Sequence, residues 1–107
     1  LKNIPPNRAQ IPMVAFNYAR ELEIVKRYDD AIEIAEYARK ICIDYGVYTS
    51  LSGILMILAE CYYHLEDFEK SIELYRQSYY LFKIIEDDRN LIIIKTEAKE
   101  FLDLELD

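Results

Sequence analysis

Residues 28–34, Tyr28-Asp-Asp-Ala-Ile-Glu-Ile, return forty positions later as residues 68–74, Phe68-Glu-Lys-Ser-Ile-Glu-Leu. Each stretch opens a segment whose apolar residues fall at helical spacing. In the first, Tyr28, Ala31, Ile32, Ala35, Ala38, Ile41, Cys42 and Tyr45 form one stripe. Asp29, Asp30, Glu33, Glu36, Arg39, Lys40 and Asp44 mostly lie off it. Acids come early and bases later, as the helix dipole favours. Gly46 then offers the left-handed backbone that a helix end wants. In the second segment the stripe is Phe68, Ser71, Ile72, Tyr75, Ser78, Tyr79, Phe82 and Ile85. Such repetition outranks any single motif in deciding a fold, because a repeated helix pair buries its apolar face against its own copy.

The repeat extends outward in both directions. The same offset pairs Ala38 with Ser78, Ala19 with Ala59 and Leu22 with Tyr62. An offset of thirty-nine then pairs Leu55 with Ile94, Ala59 with Ala98 and Tyr62 with Phe101. Five helices are expected, at about 12–26, 28–45, 50–65, 67–85 and 88–104. Pro12 suits a first helical turn, where its missing N–H costs nothing. Thr49 or Ser50, Asp67, and Asp87 or Asp88 are the candidate N-caps. Loops of two to five residues make neighbouring helices antiparallel. Residues 1–10, with Pro5-Pro6, read as a lead-in, and 11–107 as one all-α repeat domain. Small residues (Ala19, Ala31, Ala38, then Ala59, Ser71, Ser78) let helices approach, and Tyr28, Phe68, Leu22 and Tyr62 fill the space beside them.

Composition agrees and excludes much else. With 107 residues, 52% of them hydrophobic and 31% charged, the chain makes one small domain with a core and is not disordered. It has 2 Gly and 3 Pro, all three Pro within the first twelve residues, too few turn residues for an all-β fold. Gly46 and Gly53 are too far apart for a glycine-rich phosphate loop. A formal charge of −7 argues against direct contact with nucleic acid. The longest apolar run, Leu51 to Ala59, is nine residues and includes Ser52 and Gly53, whereas a membrane span needs about 20. Because residue 1 is Leu and not Met, the chain is expected to be an excised or processed piece. Cys42 and Cys61 lack C-x-x-C spacing and are expected as reduced core residues of a cytoplasmic protein.

The small-and-large pattern resembles the tetratricopeptide repeat. Leu55, Leu58, Ala59 and Tyr62 match the first helix of that family's unit. Phe68, Ser71, Tyr75 and Ser78 match its second helix, as do Tyr28, Ala31, Ala35 and Ala38, with Ala35 in place of an aromatic. The spacing is forty where the family has about 34. Lys83 and Ile43 stand where its closing Pro falls, and Glu97 stands where it has Leu. The stretch Gln77-Ser-Tyr-Tyr-Leu-Phe-Lys, with the acidic turn Glu86-Asp-Asp, is similar to the C-terminal sensor region of bacterial helix-turn-helix transcription regulators. The resemblance implies a right-handed superhelix of antiparallel helix pairs, cut from a longer array.

In such a stack the first helices line the inner curve. That registration turns Met13, Phe16, Asn17, Arg20 and Glu23 inward from the first unit. Gly53, Met56, Ile57, Glu60 and Tyr63 come from the second, and Ile92, Lys95, Thr96 and Lys99 from the third. Asn17 matches the position of a peptide-contacting Asn in tetratricopeptide families, and a carboxamide can satisfy both a backbone donor and an acceptor. Arg20, Lys95 and Lys99 are suited to a carboxylate, and Met13, Phe16, Met56 and Ile57 to apolar side chains. Of ten tyrosines, Tyr18, Tyr28, Tyr45, Tyr62 and Tyr75 fall at packing positions, while Tyr63, Tyr79 and Tyr80 are not all needed there.

No catalytic or metal-binding residue emerges. His64, the single histidine, has no second His or Cys at metal spacing and reads as a helix-end residue. Asp29/Asp30 and Asp87/Asp88 sit at helix starts, where caps and dipole favour acids. The expectation is a non-enzymatic, cofactor-free domain that binds a peptide or protein. The resemblance further implies a cytoplasmic homodimer reaching DNA through an upstream domain, and no membrane contact. The alternative is a scaffold or dimerisation module without a small peptide ligand, pairing through Leu91-Ile-Ile-Ile.

Overall fold

The computed structural model describes residues 10–107. It is all-α: α1 (Gln10–Ile24), α2 (Tyr28–Tyr45), α3 (Tyr48–His64), α4 (Phe68–Ile84) and α5 (Asp88–Leu102), with no strand among the described residues. Residues 1–9 of the expected lead-in lie outside the described residues. Each helix packs on the next, and α1 also packs on α3. The body measures 44 × 30 × 19 Å.

The four corners share one geometry. Lys26, Gly46, Glu66 and Glu86 all take a left-handed backbone, with φ of 67°, 69°, 64° and 58°. The next residue's N–H returns to a carbonyl five positions back: Arg27 to Leu22, Val47 to Cys42, Asp67 to Tyr62 and Asp87 to Phe82, each at 2.9 Å. That same residue is the N-cap of the following helix. One residue thus closes a helix and starts the next, twenty positions after its predecessor. Glycine anticipates only one corner, because a left-handed L-residue is costly by ~1–2 kcal/mol. At the other three this closing hydrogen bond and the packing of the joined helices must outweigh that cost.

Two expected caps form and one does not. The Asp67 carboxylate accepts from Lys70 N–H at 3.3 Å, and Asp87 from Asn90 N–H at 3.2 Å. α3 begins at Tyr48 with Val47 as its N-cap and no side-chain cap. The Gly46 corner delivers the chain into helix directly, so Thr49 and Ser50 fall inside the first turn.

The small-residue seam is fully closed. Ala19, Ala31, Ala38, Ala59, Ser71 and Ser78 are all completely buried. The two serine hydroxyls donate across to α3, Ser71 Oγ to the Ala59 carbonyl at 2.7 Å and Ser78 Oγ to the Ser52 carbonyl at 2.8 Å. Without those acceptors each hydroxyl would be an unpaired buried donor. α3 lies at the centre, with every residue from Ile54 to Cys61 buried. Cys42 and Cys61 are buried and free. Burial pushes their thiols up to about 11 and about 12, so both stay protonated and unreactive.

Some aromatic residues are placed differently from expectation. Tyr18 and Tyr45 are largely exposed, because the buried stripe of α1 runs through Ala15, Ala19 and Leu22, and that of α2 ends at Cys42. Tyr79 is buried, in keeping with its place in the α4 stripe, whereas Tyr80 is exposed.

Candidate functional site

α1, α3 and α5 contribute one face, carrying two adjoining depressions. The first, about 240 Å³, is floored by Met13, Phe16, Met56 and Phe82 and edged by Thr49, Ser50, Asp87 and Asn90. Gly53 belongs to its floor for a steric reason: a Cβ there would lie 3.0 Å from the Phe16 ring. The missing side chain lets an aromatic ring rest on the α3 backbone. Asn90 is held by Asp87, its side-chain N–H donating to Oδ2 at 2.7 Å. Its carboxamide oxygen is thereby turned to a fixed orientation.

The second depression, about 280 Å³, is lined by Arg20, Glu23, Ile24, Glu60, His64, Glu97 and Phe101. Arg20 belongs to both. Its Nη1 donates to Glu23 Oε1 at 2.6 Å and to Glu60 Oε1 at 2.7 Å. Tyr75, from α4, donates to Glu97 Oε2 at 2.6 Å. One guanidinium and one phenol thus serve three carboxyl groups from three helices. Burial pushes the Arg20 guanidinium down, but the charges of Glu60 and Glu23 outweigh this and raise it. Burial pushes Glu60 up to about 7 and Glu97 up to about 8, and Glu60 is coupled through hydrogen bonding to both Glu97 and Glu23. At the rim, His64 stacks on Tyr28 with centroids 4.7 Å apart, and Tyr63 stacks on Phe101 at 4.4 Å.

The fourteen residues expected on the inner face divide. Met13, Phe16, Arg20, Glu23, Gly53, Met56 and Glu60 line the depressions, and Ile92 is exposed outside them. Tyr63 stands beside them through its stack on Phe101. Asn17 is exposed and lines neither; the carboxamide in the face is Asn90. Ile57 is fully buried, because α3 is covered on several sides and its turns have no free face at that position. It is a core residue and not a contact. Lys95 and Thr96 are exposed away from the depressions, with Thr96 Oγ1 donating to the Ile92 carbonyl. Lys99 is engaged by the chain's own acids, Asp103 at 2.6 Å and Glu105 at 2.8 Å. Among residues outside the expected set, Glu97 carried a visible signal: an acid thirty-nine positions after Leu58, where the repeat calls for an apolar residue. Asn90 and Phe82 carried none, since their roles depend on how α4 and α5 meet.

Among the described residues, no group of three or more His, Cys, Asp or Glu side chains is placed to hold a metal ion. No helix among them is long and apolar enough to cross a membrane. No family model, curated protein or solved structure matches the chain.

Proposed function

We propose that this chain is a non-catalytic binding domain of the tetratricopeptide type, whose α1/α3/α5 face takes an extended peptide segment. The observation that carries this reading is the pair of depressions joined at Arg20, one apolar and one charged. Exposed Met13 supplies adaptable apolar surface, and Asn90 a carboxamide for a peptide backbone. In this reading the domain is the sensor part of a cytoplasmic bacterial transcription regulator, and DNA is contacted by an upstream helix-turn-helix. The repeat resemblance supports that assignment. Selection from a displayed peptide library tests it. Saturable binding that Met13→Asp and Asn90→Ala each weaken about tenfold, roughly 1.4 kcal/mol, is expected. Failure to select any peptide, or binding indifferent to both changes, sinks it. A coding sequence ahead of Leu1 that lacks a helix-turn-helix removes the regulator assignment and leaves the binding domain.

A second reading has its own observation. Ile92 and Ile93 on α5 are 68% and 43% exposed. They favour a dimerisation module that pairs α5 with a second copy. Light scattering showing a dimer that Ile92→Glu converts to monomer supports this reading, and a monomer at every concentration refutes it.

A further inference from the structure

Glu60 and Glu97 come from the third and fifth helices and meet in one cluster with Arg20, Glu23 and Tyr75, in which Glu60 and Tyr75 are buried and the other three half-buried. Glu60 is 5% exposed, yet the one guanidinium near it among the described residues is shared with Glu23. Glu97 receives the Tyr75 hydroxyl but, among the described residues, no cation at hydrogen-bonding distance. The groups facing the pair come from three helices: Arg20 and Glu23 from α1, Cys61 and His64 from α3, and Tyr75 from α4. Tyr28 of α2 reaches the edge, stacked on His64. Both thiol and phenol are pushed up by burial, so neither takes the charge away from the carboxyls.

Two carboxyl groups can hydrogen-bond to each other only if one carries a proton, because an ionised carboxylate accepts and does not donate. We propose that Glu60 and Glu97 hold one proton between them at neutral pH, and that this proton fastens α5 to the rest of the domain. Two features make α5 the element that moves. It buries only Ile94 and Ala98 of its own length, and its polar tie to α4 is the Tyr75–Glu97 bond. Loss of the proton places two negative charges together in a poorly solvated site with half a guanidinium to compensate. α5 then loosens, and with it the two depressions that it helps to enclose. The device stands whether or not the face binds a peptide.

The sign follows from linkage. A carboxyl whose folded-state affinity for protons is raised favours the folded state at low pH and loses that advantage as pH rises through its folded value. Burial raises both groups, toward about 7 for Glu60 and about 8 for Glu97; Glu60 raises Glu97 further, whereas Glu60 itself is raised by Glu23 and lowered by its hydrogen bond with Glu97. The opening equilibrium of α5, read by amide hydrogen exchange corrected for intrinsic rates, is expected to rise at least about tenfold from pH 5 to pH 8. Amides at the centre of α3 should change less. In Glu97→Gln, whose amide still accepts from Tyr75 and donates to Glu60, the rise should fall below about twofold. A wild-type rise under twofold, or an undiminished rise in Glu97→Gln, overturns the proposal. Carbon NMR titration of the glutamate carboxyls in the unaltered protein decides independently of how the variant folds. One side-chain midpoint above pH 6 supports the shared proton, and all midpoints at or below pH 6 refute it.

Discussion

α3 and α5 occupy equivalent places in successive repeats, yet they live in different surroundings. α3 packs on α1, α2 and α4, whereas α5 packs chiefly on α4. Ile54 and Ile93 are separated by the repeat offset, and the first is fully buried while the second is 43% exposed. Leu58 and Glu97 are likewise equivalent, a buried hydrocarbon in one and a proton-dependent carboxyl in the other. Equal sequence pattern does not confer equal burial. A repeat's apolar residues are buried only as far as neighbouring helices cover them.

The largest expected effect breaks this comparison directly. Ile54→Ala should cost about 2–5 kcal/mol of unfolding free energy in urea, and Ile93→Ala under about 1 kcal/mol. Equal losses would mean that α5 is covered as α3 is. Next comes pH. Because burial raises Glu60 and Glu97, global stability should decline from pH 5 to pH 8, and Glu97→Gln should flatten that decline. Thermal midpoints across that range measure it. Smaller is Ser78→Ala, which leaves the Ser52 carbonyl without its extra donor and should cost ~1 kcal/mol by urea unfolding. Asp87→Ala removes the side-chain cap of α5 at a cost of ~1 kcal/mol. Hydrogen exchange should show that loss concentrated in α5, sharpening the contrast with α3, which has no side-chain cap to lose. Smallest is the corner at Glu66. Glu66→Gly should stabilise by roughly 0.5–1 kcal/mol, since glycine relieves a left-handed backbone, while Gly46→Ala should destabilise by about 1 kcal/mol.

The helices and the seam were legible because helical spacing and small residues recur at a fixed interval. Ala19, Ala59, Ser71 and Ser78 announced close approach by size alone. Three of the four corners were silent: Lys26, Glu66 and Glu86 are residues that do not favour the left-handed backbone they adopt. Within the site, Phe16, Arg20, Met56 and Glu60 followed from registration on one helix face. Ile57 did not, since one-helix registration ignores how many neighbours cover the central helix. Asn90 and Tyr75 enter through the junction of α4 with its neighbours, which depends on packing between helices and not on periodicity along one.

Two rhythms coexist along the backbone. Corners come every twenty residues, while the side chains that tell the odd-numbered helices from the even-numbered ones alternate and come back only every forty. Excising forty residues between corners therefore rejoins like with like and should leave a shorter viable ladder. Excising twenty keeps the remaining bends and still sets two helices of the same kind back to back. The chain can change length by pairs, and its bends alone do not enforce that rule.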